Sequence, residues 1–406
     1  MISWNIIRSV LPLTFLVFSL AFAGGKGGTD VRPWSVRIAD SFLQRHPGAV
    51  TYDSASPNER WNYEQGLMLE AFCQMWFHTR ERKYFDFVKG NMDRYVGENG
   101  SIRTYNVNDY TLDNIGPGRA LLTLYQETGD RKYKFAADSL REQLRMQPRT
   151  HEGGFWHKKL YPYQMWLDGL FMAEPFYSWY AVEAKENGDF DDVINQFVFM
   201  AEHARDSKTG LFYHGWDESR QQRWANPATG CSPNFWGRAM GWYSMALVDV
   251  LDFIPAWHPR RDTLITILRD LASSEVKFRD EKTGLWYQIV DQKERNGNYL
   301  EASASCMFVY TFAKGANKGY LDVKYLREAE SSFKWIIDNL VTVNDDGTID
   351  LLHTCMGAGL GGNPYRDGSF DYYVNEQQRT NDMKGLGPFL LAAIELEKWR
   401  SGRIVH

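Results

Sequence analysis

Thr79-Arg-Glu-Arg-Lys-Tyr84 returns farther on as Thr128-Gly-Asp-Arg-Lys-Tyr133, each time as a tight turn between two stretches of helical apolar spacing. A second pair has another character. Asp206-Ser-Lys-Thr-Gly-Leu-Phe-Tyr213 returns as Asp280-Glu-Lys-Thr-Gly-Leu-Trp-Tyr287, and each copy leaves a helix and opens a longer loop rich in Gly and aromatic residues. Short turns and long loops thus alternate along the chain. Apolar residues recurring with the helical period, read between such stop signals, predict twelve helices. These fall near 33–47, 61–79, 82–97, 115–128, 131–147, 163–186, 189–206, 233–254, 259–277, 300–316, 320–340 and 382–401. Alternating links make them six helical hairpins, and six hairpins closed in a ring predict an all-α (α/α)6 toroid with its long loops on one face. A solenoid would need a regular repeat, which the chain lacks. Residues 343 to 381 are irregular, with five glycines from Gly357 to Gly368 and the aromatics Tyr365, Phe370, Tyr372 and Tyr373. A loop of that length in a compact domain reads as a site lid.

The first residues hold one charge, Arg8, then an apolar run from Val10 to Phe22 ending in Ala21-Phe22-Ala23. A basic start, an apolar centre and an Ala-x-Ala end read as a secretory signal peptide over 1–23. The run is short for a membrane span and contains Pro12. Residues 24–406 then form a single domain, since no linker interrupts them. The chain has 46 Lys+Arg against 51 Asp+Glu, a net charge of −5. Nothing in that balance favours nucleic acid or an acidic membrane as a partner. Of the four cysteines, Cys73 and Cys306 sit in helical patterns as buried thiols. Cys231 and Cys355 lie in loops of an exported chain, where pairing is open to them, but their spacing gives it no support. No spacing suits a metal. The 15 Trp, 22 Tyr and 24 Phe suit carbohydrate binding, although a large core also absorbs aromatic residues.

Four polar constellations stand where long loops run into helices. Asp168 lies among Trp156, Tyr161, Tyr163 and Trp166, with Pro162 predicted in the first helical turn. An exposed acid there would merely complement the helix dipole, but apolar neighbours argue for function. Asp113, in Thr111-Leu-Asp-Asn-Ile-Gly-Pro-Gly-Arg119, occupies an ordinary cap position that a functional residue also occupies. His214 stands in Leu211-Phe-Tyr-His-Gly-Trp-Asp217, a lone loop histidine. Arg238 follows Ser232-Pro-Asn-Phe-Trp-Gly, with Ser232 and Pro233 predicted to start the helix. A cation so near a helix N-terminus, between Trp236 and Trp242, reads as an anion receptor, with a buried ion pair as the other reading.

Together these segments resemble the unsaturated rhamnogalacturonyl hydrolases, glycoside hydrolase family 105, relatives of the family 88 unsaturated glucuronyl hydrolases. The residues that carry the resemblance are Trp61-Asn-Tyr-Glu-Gln-Gly66, Leu112-Asp-Asn-Ile-Gly-Pro-Gly-Arg119, Gly154-Phe-Trp-His157 and Tyr161-Pro-Tyr-Gln-Met-Trp-Leu-Asp-Gly-Leu170. His214-Gly-Trp-Asp217, Trp236-Gly-Arg-Ala-Met-Gly-Trp242, Glu301-Ala-Ser-Ala-Ser305 and Lys384-Gly-Leu-Gly-Pro388 continue it in order. The resemblance implies the same (α/α)6 fold. It also implies Asp168 as proton donor and acceptor, with Asp113 beside it as the second catalytic carboxylate. Tyr63, His157, Trp166, His214, Trp236, Arg238 and Trp242 would surround the substrate.

The substrate implied is an oligosaccharide left by a polysaccharide lyase, with a 4,5-unsaturated uronic acid at its non-reducing end. Its C4=C5 bond is a vinyl ether, so the reaction is hydration, and no metal or organic cofactor is needed. Protonating carbon requires a neutral Asp168. Burial and a like-charged Asp113 are expected to raise its pKa against the helix dipole. Arg238 is expected to grip the substrate carboxylate through a bidentate fork, with Lys158, Arg119 and Arg379 as reserves. Rival readings are glycosaminoglycan specificity, a sugar 2-epimerase using His157 and His214, an inverting endo-glucanase, and a non-catalytic sugar-binding protein.

Overall fold

A computed structural model describes residues 30–50 and 60–402. The expected signal peptide lies outside the described residues. All twelve predicted helices are present: α1 (Trp34–Arg45), α2 (Tyr63–Thr79), α3 (Arg82–Asp93), α4 (Gly118–Thr128), α5 (Arg131–Met146), α6 (Leu167–Ala184), α7 (Asp189–His203), α8 (Gly237–Val250), α9 (Arg261–Lys277), α10 (Ala302–Asn317), α11 (Lys324–Leu340) and, as the last helix of the chain, α13 (Met383–Arg400). A thirteenth, the single turn α12 (Phe370–Val374), lies in the irregular stretch before α13. The repeated Thr-x-x-Arg-Lys-Tyr segments form the α2–α3 and α4–α5 turns, where Arg80 and Gly129 take the left-handed conformation that ends a helix.

Six helices form an inner ring. α2 packs on α4, α4 on α6, α6 on α8, α8 on α10, α10 on α13, and α13 back on α2. Their sequences explain the placement. α8 is buried along its whole length and α6 along nearly all of it, as apolar residues on every side require. α5 and α11 instead bury one stripe and expose charges on the other, so they form part of the outer layer. Each inner helix pairs with an outer one. The sixth pair differs from a sequential hairpin, because the inner α13 takes its outer partner, α1, from the opposite end of the chain. Ser35 at the start of α1 donates its backbone N–H to Glu397 of α13 at 3.0 Å.

Each inner helix is entered from a long loop and left by a shorter connection, so the N-termini of the ring gather on the long-loop face. Three two-stranded antiparallel ribbons are built from the loops. β1 (Gln164–Trp166) pairs with β2 (Gly215–Asp217), β3 (Val341–Val343) with β4 (Ile349–Leu351), and β5 (Thr354–Cys355) with β6 (Gln378–Arg379). The four cysteines are free and buried. Cys231 donates to the His203 carbonyl, whereas the Cys355 sulfur accepts from Gln288, so the two loop thiols do not pair. Among the described residues, no helix is long and apolar enough to cross a membrane.

Candidate active site

Two predicted helix starts move. Pro162 lies in a turn rather than in the first turn of α6, because residues 164–166 pair with β2 and the helix begins only at Leu167. Ser232 does not cap α8. Its N–H bonds the Gly215 carbonyl at 2.9 Å, and α8 starts at Gly237. Both shifts have one cause: pairing with a distant segment of the same chain takes the backbone groups that a longer helix would have used. They place Asp168 and Arg238 each at the second position of an inner helix.

The β1–β2 ribbon then assembles the centre. Trp166 lies opposite Gly215, and Leu167 donates its N–H to the His214 carbonyl at 3.0 Å, which sets His214 beside Asp168. His214 Nε2 lies 3.0 Å from Asp168 Oδ2 but off the line of a directed hydrogen bond, so neither atom has a directed partner. His214 Nδ1 shares a hydrogen bond of 2.8 Å with the Tyr373 hydroxyl. His157 enters from the other side. Its N–H bonds the Gln164 carbonyl at 2.8 Å, and its carbonyl accepts from Leu112 N–H at 3.1 Å, which brings up the Asp113 turn. His157 Nε2 is 3.6 Å from Asp113 Oδ1, while Lys158 forms a close ion pair with the other oxygen.

Aromatic rings set the walls. Tyr161, Trp166 and His157 stack in that order, with centroids 4.8 and 4.5 Å apart and planes within 19° of parallel. Trp166 meets His214 edge-on at 5.3 Å, and Trp236 covers its other side at 4.7 Å. Tyr63 meets Trp242 edge to face at 6.3 Å. Gly169 is what lets His157 lie so close to α6. A Cβ there would stand 3.1 Å from His157 Nδ1 and 3.0 Å from a Leu112 methyl.

The electrostatics differ from the expectation. Burial pushes the Asp168 carboxyl up, but His214 and then His157 outweigh it and hold the group below the usual aspartate range. Asp113 is not among the groups that weigh most on Asp168, and Lys158 lies against its charge. Burial pushes His157 down to about 4, with Asp113 opposing in part, so this imidazole is neutral across the physiological range. Arg238 is almost wholly enclosed. Its Nε donates to Ser303 at 2.7 Å, and Nη2 faces Glu301 at 3.4 Å and the Cys355 carbonyl more closely. Only Nη1 is without a partner. The structural ion pair therefore exists, and the expected two-pronged fork is reduced to one free prong.

Of the nine residues singled out from sequence, eight lie at the inner-helix N-termini or the loops entering them, and Trp242 lies a turn farther along α8. Contacts run from Asp113 through His157 and Trp166 to His214, which touches both Asp168 and Trp236, and Trp236 in turn lies against Arg238. Of the reserves, Arg119 is spent elsewhere, on Glu70 and Asp249 at 2.8 Å each. Two participants were missed as roles. Glu301 caps α10 through Ala304 N–H at 2.6 Å and holds Arg238, and Tyr373 holds His214. Glu301 carried a cap signal before an apolar run, whereas Tyr373 carried no local signal. Among the described residues, no cluster of three or more His, Cys, Asp or Glu side chains is placed to hold a metal ion.

Comparison with known proteins agrees with the fold. Residues 34–400 match the model of Glycosyl Hydrolase Family 88. The chain is similar to an unsaturated rhamnogalacturonyl hydrolase of Bacillus subtilis strain 168, with 28% identity over 71% of this chain and 78% of that one. The fold matches the structure of a family 105 glycoside hydrolase from C. acetobutylicum ATCC 824 with a TM-score of 0.87 and 42% identity, covering 90% of this chain and all of that one. It also matches, at TM-score 0.66 and 12% identity over 90% and 95% of the two chains, an unsaturated glucuronyl hydrolase from Bacillus sp. GL1, a likeness of fold alone.

Proposed function

Because the chain belongs to the glycoside hydrolases of family 88 and its relative family 105, we propose that it removes the 4,5-unsaturated uronic acid from the non-reducing end of lyase-generated rhamnogalacturonan fragments. The observation that carries the reading is Asp168: one enclosed carboxylate between two histidines, on an aromatic wall, at the loop face of the ring. That setting suits proton transfer to a sugar carbon rather than displacement at the anomeric carbon, which would call for two carboxylates flanking the scissile bond.

In this reading the substrate ring enters beside the Tyr161–Trp166–His157 stack, and its carboxylate takes the free Nη1 of Arg238. Protonated Asp168 delivers its proton to C4, and positive charge develops at C5 and the ring oxygen. The carboxylate so formed accepts a proton from water as the water oxygen bonds to C5. The resulting hemiketal opens to a keto acid and releases the remaining sugar, so one water is consumed per bond cleaved. Since His214 and His157 hold Asp168 low, its protonated form grows as the pH falls. Turnover should therefore rise on going from neutral toward mildly acidic pH.

The basic start at Arg8, the apolar run behind it and the Ala21-Phe22-Ala23 end support export to the periplasm or beyond, with cleavage freeing the chain from the membrane. The decisive assay follows the ultraviolet absorbance of the conjugated alkene with unsaturated rhamnogalacturonan disaccharide and, in parallel, unsaturated chondroitin disaccharide. Loss with the first supports the proposal. Loss with the second alone transfers the reading to glycosaminoglycan fragments, and loss with neither sinks it.

A further inference from the structure

Tyr373 is fully buried, on the single turn α12, and its hydroxyl meets no group but His214 Nδ1, at 2.8 Å. Its ring stacks on Trp236 with centroids 5.7 Å apart. Its carbonyl accepts from Gln288 Nε2 at 2.9 Å, and Gln288 Oε1 in turn accepts from Trp236 Nε1 at 3.1 Å. The phenol is held from both sides. Burial also keeps it far from ionising.

A phenol has one proton to give, and a neutral imidazole has one nitrogen that gives and one that accepts. Were Nδ1 the donor, the Tyr373 proton would be buried with no acceptor, and a buried donor without a partner loses its full solvation. The hydroxyl therefore donates to Nδ1, and neutral His214 keeps its own proton on Nε2, facing Asp168 Oδ2 at 3.0 Å. A second proton reaching this pair has two places to go. On Nδ1 it would form the imidazolium, reverse the bond and orphan the phenol. On Asp168 it leaves the Tyr373 bond intact, and because His214 lowers that carboxyl only as a cation, a His214 held neutral leaves burial free to push the group up.

We propose that Tyr373 is a positioning residue that fixes His214 as the Nε2–H tautomer and thereby directs the next proton to Asp168. This supplies the neutral carboxyl that hydration needs, and it rests on Asp168 being the proton donor. The groups facing His214 are consistent with it. Asp168 on α6 is the carboxylate within ion-pair distance and lies on the Nε2 side. His157 is the neighbouring imidazole on the other side of Trp166. The rings against it, Trp166 and Trp236, are uncharged. Tyr372, Asp168, Asp367 and Cys355 all act against ionisation of the Tyr373 phenol, in the same direction as its burial.

Nitrogen-15 NMR of histidine-labelled protein without substrate reads the tautomer directly. The wild type should show His214 neutral with its proton on Nε2, and it should resist conversion to the imidazolium as the pH is lowered. Tyr373→Phe removes one oxygen and keeps the ring on Trp236. In it His214 should titrate into the imidazolium, and kcat should fall by about tenfold or more, the equivalent of at least one pKa unit lost by Asp168. KM should stay within about twofold, since no substrate contact is removed, and the pH–rate profile should move to lower pH. A wild-type His214 protonated on Nδ1 overturns the inference, as does a variant with an unmoved pH profile. Absence of turnover by the wild type would count against the hydrolase reading, whereas the tautomer of the free protein decides this inference by itself.

Discussion

Replacing Arg238 by lysine tests how the ring holds an acidic sugar. The guanidinium has three engagements in the structure: Nε on Ser303, Nη2 on Glu301 and the Cys355 carbonyl, and Nη1 free. A lysine brings a single ammonium, and in so enclosed a place the Glu301 carboxylate will claim it. The charge balance of the pocket survives, but the free prong does not. A hydrogen bond to a charged group contributes about 1.5–3 kcal/mol, and each 1.4 kcal/mol is about a tenfold change in binding. KM should thus rise roughly ten- to a hundredfold, with kcat changed far less, because the lost contact exists in ground and transition states alike. Initial rates of alkene loss over a substrate series give both parameters, and a melting curve checks that the variant is folded. A KM within about twofold of wild type would show that the substrate carboxylate does not bind Arg238.

Asp168→Asn should lower kcat by about 10²–10⁴-fold, the range for loss of a general acid–base group, while tight substrate binding persists by calorimetry; comparable turnover would remove Asp168 from the chemistry. Asp113→Asn should reduce activity by releasing Lys158 and His157, yet leave the limb of the pH–rate profile set by Asp168 within a few tenths of a unit, since His214 and not Asp113 sets that proton. A shift of a full unit would restore the like-charge coupling. Glu275 offers a stability test. Burial holds this carboxyl far above its usual range despite the nearby Ser244 hydroxyl, which is itself directed at the Met240 and Gly241 carbonyls. Its neutral form fits the fold at a pH below its unfolded pKa of about 4.3; as the pH rises past that value the unfolded chain ionises and the folded one does not, so stability is lost. Glu275→Gln should therefore melt at the same temperature as wild type near pH 4 and at a progressively higher one toward pH 8; a constant difference would refute the argument.

The ring was legible because its evidence is periodic and local. Apolar spacing marks α2 through α11 to within a few residues, and the Thr-x-x-Arg-Lys-Tyr turns mark the hairpins. The site was legible where unusual neighbours coincide, as at Asp168 within its aromatic run. What escaped depends on contacts between distant segments. Ser232-Pro233 is a sound cap signal, but pairing with Gly215 overrides it, and nothing near residue 233 announces that strand. The field at Asp168 comes from a histidine 46 positions away, and the partner of that histidine lies 159 positions farther on. Arg238 looked like a free fork because Glu301 and Cys355 reach it only once the ring has closed. The lid reading of residues 343 to 381 also changes. The stretch braces the site from within, through Cys355 and Tyr373, more than it covers it.

The closing pair of the ring, α13 with α1, sets an order on the life of the chain. Of the six ring helices α13 is made after the other five, so until it emerges those five belong to an open arc. The edges of that arc, along α2 and α10, are the apolar faces that α13 will cover. No earlier point in synthesis offers a closed ring, and so the nascent chain keeps those two faces uncovered until α13 arrives. The same adjacency of ends makes the circle indifferent to where it is cut. A chain begun at the short turn between α2 and α3, with α13 joined by a linker to α1, should close into the same ring and move the late step to another helix.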